Sequence, residues 1–184
     1  VDGGKLAVVH NGIIENFATL RGELEAKGYS FVSETDTEVA GTLLFDVYVN
    51  ETDADLTRAM QLTAQRLEGA FTLLAIHADH PDRIVAARWN SPLVVGVGEG
   101  ENFLSSDVSG FIEFTRDAVE LDNGQIVTLT ADGYEVTTFT GEPAEATPFR
   151  VEWDVTAAEK GGFNSFMEKA VSYTHLRAHE TDSY

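Results

Sequence analysis

The fold is decided by the stretch Val8-Val9-His10-Asn11-Gly12-Ile13-Ile14-Glu15-Asn16, in which an apolar run leads through Asn-Gly into a helix-like pattern. This pattern predicts a buried strand over residues 6–10, a corner at Asn11-Gly12 and a helix capped by Asn16. A side-chain amide and an unshielded backbone N–H at a strand end can hold a developing oxyanion. An Asn-Gly pair is also common in hairpin turns, so the spacing of these residues alone does not exclude a simple turn.

Asp36 is the second candidate site residue, within the motif Ser33-Glu34-Thr35-Asp36-Thr37-Glu38-Val39. Asp36 or Thr37 can cap a helix that continues through Val47, and this role needs no ligand. A carboxylate near the positive end of a helix also stays ionised, which suits it to bind the ammonium group of an amino-acid substrate. The capping role and the binding role are compatible.

The remaining pattern predicts an α+β layered fold. Residues 29–32 are a short strand candidate, and a third helix opens at Asp53. From Ala70 onward, short apolar segments alternate with turn signals such as Asn123-Gly124 and Asp132-Gly133, which predict hairpins. Helices grouped early and strands grouped late are typical of an α+β architecture.

Composition excludes several classes of function. The 184 residues fit one domain and carry 12 Lys and Arg against 31 Asp and Glu, a formal charge of -19. Such a charge repels phosphate backbones and anionic membranes, so we expect no nucleic-acid partner and no membrane partner. No apolar stretch of about 18 residues and no signal segment occurs, and we expect a cytoplasmic protein. The chain contains no cysteine, which excludes a thiol nucleophile and thiolate metal ligands.

The two ends of the chain predict its domain organisation. Val1 is not a translation start and leads at once into a core-like run, so we interpret it as a truncation point. Residues 1–140 are predicted to form the domain and the polar residues 141–170 a linker. Residues 171–184 differ in composition and are expected to be a non-native tail.

Two weaker motifs favour ordinary structural roles. The glycine-rich residues 96–100 superficially resemble a phosphate-binding loop, but acidic residues stand there and no helix follows, so a tight turn is predicted. His175 and His179 are spaced like metal ligands on a helix, yet they lie in the expected tail. We therefore expect no metal site.

Several long motifs, in the right order, closely resemble the glutaminase domain of the glutamine-fructose-6-phosphate aminotransferase family, over roughly residues 5–170. They are residues 8–16 quoted above, Gly28-Tyr29-Ser30-Phe31-Val32-Ser33-Glu34-Thr35-Asp36-Thr37-Glu38, Ser91-Pro92-Leu93-Val94-Val95-Gly96 and Gly100-Glu101-Asn102-Phe103-Leu104-Ser105-Ser106-Asp107. Other class II glutamine amidotransferases, such as amidophosphoribosyltransferase, share the Asn-Gly and the Asp-Thr-Glu but differ around them.

This resemblance implies an N-terminal-nucleophile hydrolase-like fold, a four-layer sandwich of two antiparallel sheets between helices, here incomplete at its N-terminus. It implies that Asn11 and Gly12 form the oxyanion hole and that Asp36 binds the α-amino group of glutamine. Ammonia from glutamine would pass to fructose-6-phosphate in a separate isomerase domain and yield glucosamine-6-phosphate. The family uses no cofactor, and the parent protein is expected to be a homo-oligomer.

The departures from the family pattern leave other functions open. The nucleophilic cysteine and its neighbours, expected before Val1, and the isomerase domain, expected after the chain, are absent from these 184 residues. We therefore expect the chain alone to be inactive. The alternatives are a catalytically dead glutamine-binding or interaction module, a fragment of another class II amidotransferase and, more weakly, a nucleotide-binding protein that uses residues 96–100.

Overall fold

The computed structural model describes residues 1–152, of which Val1–Arg150 form one compact unit. Three α-helices occur in this part of the chain: α1 (Phe17–Ala26), α2 (Asp36–Asn50) and α3 (Leu56–Ala64). The strands of the same part are β1 (Leu6–Ile14), β2 (Gly69–His77), β3 (His80–Trp89), β4 (Val94–Val97), β5 (Asn102–Ser105), β6 (Asp117–Glu120), β7 (Gln125–Thr130), β8 (Tyr134–Thr138) and β9 (Thr147–Arg150).

The strands form two antiparallel sheets. The first has the order β1-β2-β3-β7-β8 and the second the order β5-β4-β6-β9. Strand β1 is an edge strand of the first sheet and pairs with β2 along its whole length, from Leu6 opposite His77 to Ile14 opposite Gly69. The other side of β1 therefore carries no strand of the described chain.

Two apolar cores hold these layers together. One lies between the helices and the first sheet and includes Leu43, Met60 and Phe71, all fully buried. The other lies between the two sheets and includes Leu93 and Val127. The expected α+β sandwich of two antiparallel sheets is confirmed. In residues 1–152 the helical layer lies on the first sheet, whereas a short 3-10 turn at Val108–Gly110 and the adjoining Phe111 cover the second.

The residues before α1 and α2 differ in whether their side chains cap the helix that follows. Asn16 precedes α1 but makes no side-chain capping bond; its amide instead donates to the Arg66 carbonyl and accepts from the Glu68 N–H. Thr35 caps α2, because its hydroxyl accepts from the Glu38 N–H. Asp36 is thus the first residue of α2 and is free of the capping role that the sequence allowed.

Three local predictions are wrong. Asn11-Gly12 is not a strand-to-helix corner, because β1 continues through both residues to Ile14. Residues 29–32 form no strand. Asn123-Gly124 closes no hairpin, because β6 belongs to the second sheet and β7 to the first. The compact unit runs to Arg150, with Thr147–Arg150 paired to β6, and the domain division at residue 140 stays a prediction. The predictions for the later linker and for the tail at 171–184 fall mainly or wholly outside the described residues.

Among the described residues, no helix is long and apolar enough to cross a membrane. The same part of the chain holds no cluster of three or more histidines and acidic residues that could bind a metal ion. The His175 and His179 pair lies outside the described residues. The glycine-rich residues 96–100 join β4 to β5 as a hairpin, so the predicted tight turn is confirmed.

Candidate functional site at the edge of strand β1

The free edge of β1 presents a row of backbone groups. The Glu15 N–H donates to the Glu68 carbonyl at 2.8 Å, and the Ala78 N–H donates to the Lys5 carbonyl at 2.9 Å. At both ends of β1, the backbone groups of the odd-numbered residues therefore point toward β2. Backbone groups of successive residues in an antiparallel strand point to opposite sides. The N–H groups of Gly12 and Ile14 therefore point away from β2, toward the free edge.

Gly12 is required at its position by the contact of β1 with β2. Its φ of 129° lies in the region that favours glycine. A Cβ atom at this residue would stand 2.0 Å from the backbone oxygen of Ala70. Only glycine thus allows β1 to run this close to β2 while the Gly12 N–H faces the edge.

Asp36 lies at the same edge. Its Oδ2 accepts a hydrogen bond from the Ile14 N–H at 2.9 Å, which ties the start of α2 to β1. Gly12 and Ile14 are two residues apart, so their N–H groups are separated by about 7 Å along the strand. The Asp36 side chain is 24% exposed and remains accessible to a ligand.

The loop before α2 holds Asp36 in place. The Glu38 carboxylate accepts from the N–H groups of Val32 and Ser33, at 2.8 Å and 2.7 Å. Arg21 of α1 donates to the Ser33 carbonyl at 3.0 Å. Hydrogen bonds from the Ser33 hydroxyl and from these backbone groups lower the pKa of Glu38. Glu38 thus ties the loop to the first turn of α2, which Thr35 caps.

His10 contacts the first turn of α2, and the sequence analysis did not select it. Its imidazole is 2% exposed, with Nδ1 3.0 Å from the Thr37 hydroxyl oxygen and 3.7 Å from Asp36 Oδ1. The other ring nitrogen, Nε2, is buried and has no hydrogen-bond partner among the described residues. Burial lowers the pKa of His10, and the nearby Asp36 opposes this effect. Its place beside Asn11-Gly12 was the signal available in the sequence.

Asn11 is exposed and occupies the face of β1 opposite His10. Two contacts bring the segment after β3 close to it. The Ser91 hydroxyl lies 3.5 Å from the Asn11 carbonyl oxygen. Thr72, the cross-strand partner of Asn11, donates its hydroxyl to the Pro92 carbonyl at 3.1 Å. The fold thus joins Gly12 and Asp36 along one edge, while the Asn11 side chain lies on the adjoining face.

Comparison with known proteins agrees with this architecture. The model of the glutamine amidotransferase domain family matches residues 1–113. The glutamine–fructose-6-phosphate aminotransferase (isomerizing) of Corynebacterium efficiens is 73% identical over 171 residues, which cover 93% of this chain and 27% of that protein. The enzyme of the same name from Streptomyces coelicolor is 58% identical over 171 residues, 93% of this chain and 28% of that protein. The chain thus spans little more than a quarter of these relatives.

A solved structure supports the fold alone. The glutamine phosphoribosylpyrophosphate amidotransferase from B. subtilis, complexed with ADP and GMP, superimposes with a TM-score of 0.61 at 23% identity. The superposition covers 75% of this chain and 30% of that one. The resemblance described from the sequence motifs is therefore confirmed, and amidophosphoribosyltransferase is the more distant relative.

Proposed function

The chain belongs to the family of glutamine amidotransferase domains, and from this membership we propose that residues 1–150 are part of a domain that releases ammonia from glutamine. The observation that carries the proposal is the edge of β1, where the Gly12 N–H and the Asp36 carboxylate lie on the same side. An amino acid bound along this edge would place its two ends against groups of opposite polarity.

Each of the three predicted site residues has a separate role in this proposal. Asp36 accepts the α-ammonium group of glutamine, for which an ionised carboxylate at a helix N-terminus is suited. The Gly12 N–H and the Asn11 side-chain amide donate to the oxygen of the glutamine amide as it becomes an oxyanion. Removal of one such donor typically raises the barrier by about 3 to 4 kcal/mol.

A thiol that attacks glutamine would have to come from outside these 184 residues, because they include no cysteine. In the whole protein, we propose, a thiolate attacks the amide carbon of glutamine, and ammonia leaves when the C–N bond breaks and its nitrogen takes up a proton. Water then hydrolyses the resulting thioester, which frees the thiol and glutamate. The names of the relatives include fructose-6-phosphate, and we propose that ammonia reacts with this sugar phosphate in another domain of the whole protein and yields glucosamine-6-phosphate. We further propose that the parent is a cytoplasmic homo-oligomer. The chain by itself should not hydrolyse glutamine.

The test uses a full-length enzyme in which this chain replaces the matching 171 residues of the C. efficiens relative. Ammonia release is measured with glutamine and with 5-amino-5-oxopentanoate, which lacks only the α-amino group and yields glutarate in place of glutamate. The chimera should be active and should prefer glutamine. Asp36→Asn should lower kcat/KM for glutamine by about tenfold to a hundredfold, the range for a lost hydrogen bond to a charged group. Its kcat/KM for the desamino substrate should not change.

The matched control is Glu34→Gln, which removes an exposed carboxylate two residues away from Asp36. This control should behave like the unchanged chimera. An Asp36→Asn chimera that still preferred glutamine would contradict the role of Asp36. Separately, glutamate release by the isolated chain above a protein-free reaction would contradict the external nucleophile.

A further inference from the structure

We propose that His10 is a positioning residue that acts through Asp36: its imidazole holds the first turn of α2 so that the Asp36 carboxylate faces the substrate ammonium. The inference rests on the proposed function, since it concerns the binding of glutamine at the same edge. No contact of His10 with substrate is required.

The contacts around His10 form a closed triangle between β1 and α2. His10 Nδ1 lies 3.0 Å from the Thr37 hydroxyl oxygen and 3.7 Å from Asp36 Oδ1. The Ile14 N–H, on the same strand, holds the other carboxylate oxygen of Asp36 at 2.9 Å. His10 Nδ1 thus contacts the helix turn at Thr37, and the Ile14 N–H binds the Asp36 carboxylate at Oδ2. The imidazole lies beside the other carboxylate oxygen, at 3.7 Å, and so limits the space into which the carboxylate can rotate.

The surroundings of His10 favour its neutral form. A protonated imidazole needs acceptors for both N–H groups, but the buried Nε2 has no partner among residues 1–152. Burial lowers the pKa of His10 accordingly. An imidazolium beside Asp36 would form an internal ion pair and compete with the substrate ammonium. A neutral imidazole instead leaves the negative charge of Asp36 available to the ligand.

Two substitutions separate the Nδ1 contact from the mere presence of a polar side chain. In His10→Asn the side-chain amide replaces Nδ1 and can still bind Thr37 and Asp36. In His10→Gln the amide extends to the position of Nε2, which has no partner to bind. Both variants are polar and uncharged, so they differ mainly in where the hydrogen-bonding group lies.

The experiment uses the full-length chimera and the two substrates described above. His10→Gln should lower kcat/KM for glutamine by about tenfold and leave kcat/KM for 5-amino-5-oxopentanoate unchanged, because only glutamine carries the ammonium group. His10→Asn should stay within about twofold of the unchanged chimera with both substrates. If His10 had a purely structural role, His10→Gln would lower kcat/KM for both substrates equally, and that result would overturn the proposal.

A second pair of variants decides the question if His10→Gln does not fold. Thr37→Val removes the hydroxyl that His10 contacts, and Thr37→Ser keeps it. Thr37→Val should reproduce the selective loss with glutamine, and Thr37→Ser should not; equal effects of the pair would overturn the proposal. If the unchanged chimera shows no preference for glutamine over the desamino substrate, the proposed function itself fails and His10 has no ammonium site to position.

Discussion

Replacement of Gly12 by alanine tests the close approach of β1 to β2, on which the edge site depends. Two effects add at this position. A φ of 129° is unfavourable for alanine, by about 1 to 2 kcal/mol. The new Cβ would also stand 2.0 Å from the Ala70 oxygen, and the backbone shift that relieves such overpacking adds about 1 to 3 kcal/mol. We expect Gly12→Ala to lower the free energy of unfolding by about 3 kcal/mol.

Two other glycines of the chain separate these effects. Gly100 has a φ of 72° but nothing within 4 Å of a built Cβ, so Gly100→Ala should destabilise by about 1 kcal/mol. Gly22 lies inside α1 with nothing within 4 Å, so Gly22→Ala should stabilise by about 0.5 to 1 kcal/mol.

Urea unfolding of the four proteins, followed by circular dichroism, measures the differences from the midpoints at constant slope. A Gly12→Ala protein that was no less stable than Gly100→Ala would refute the reasoning, because the clash with Ala70 would then contribute nothing. It would also mean that β1 can move away from β2 without loss, and the edge geometry of the site would lose its support.

Three further outcomes are expected. Hydrogen bonds lower the pKa of Glu38, so the stability that its carboxylate provides is present above the unfolded pKa and is lost as the pH falls through the lower, folded value, below about 4. In thermal melts, Glu38→Gln should therefore lose less stability on acidification than the unchanged chain. Equal losses of melting temperature in the two proteins would exclude the effect. Burial lowers the pKa of His10, so the unfolded chain binds more protons than the folded chain and stability should fall below about pH 6.5. The urea midpoint of His10→Asn should depend less on pH over this range. An equal pH dependence of the two midpoints would contradict this role of His10. Val9 and Ile13 are each 67% exposed on one face of the edge strand, so threonine at both positions should reduce self-association measured by light scattering. The control Val32→Thr, outside the sheets, should not reduce it. Unchanged scattering from the double variant would show that this face does not mediate self-association.

Local sequence patterns predicted the helices and most strands because their causes are local. The Asp132-Gly133 signal stands between β7 and β8, where a turn closes two paired strands. The strand predicted at residues 29–32 failed because its backbone binds partners other than a strand. The Tyr29 N–H donates to the Leu24 carbonyl and the Val32 N–H to the Glu38 carboxylate.

The candidate site was predicted in part. Asn11, Gly12 and Asp36 were selected from their motifs, but the expected corner at Asn11-Gly12 is a continuous strand. Helix spacing allowed Asp36 as a cap, whereas Thr35 caps α2 and leaves Asp36 to bind the Ile14 N–H. His10 was not predicted as a site residue, because a histidine at the end of an apolar run does not indicate which residues will pack over it.

The sequence by itself determined which chemical groups this chain possesses and lacks. It includes no cysteine, so no thiol of this chain attacks an amide, and it places a glycine where no Cβ can fit. Only the tertiary structure decided that Gly12 and Asp36 share an edge and that His10 is buried beside them. These relations depend on pairing between β1 and β2 and on the contact between β1 and α2, which join residues far apart in sequence. Local propensity does not encode such contacts, because the packing of the whole domain selects them.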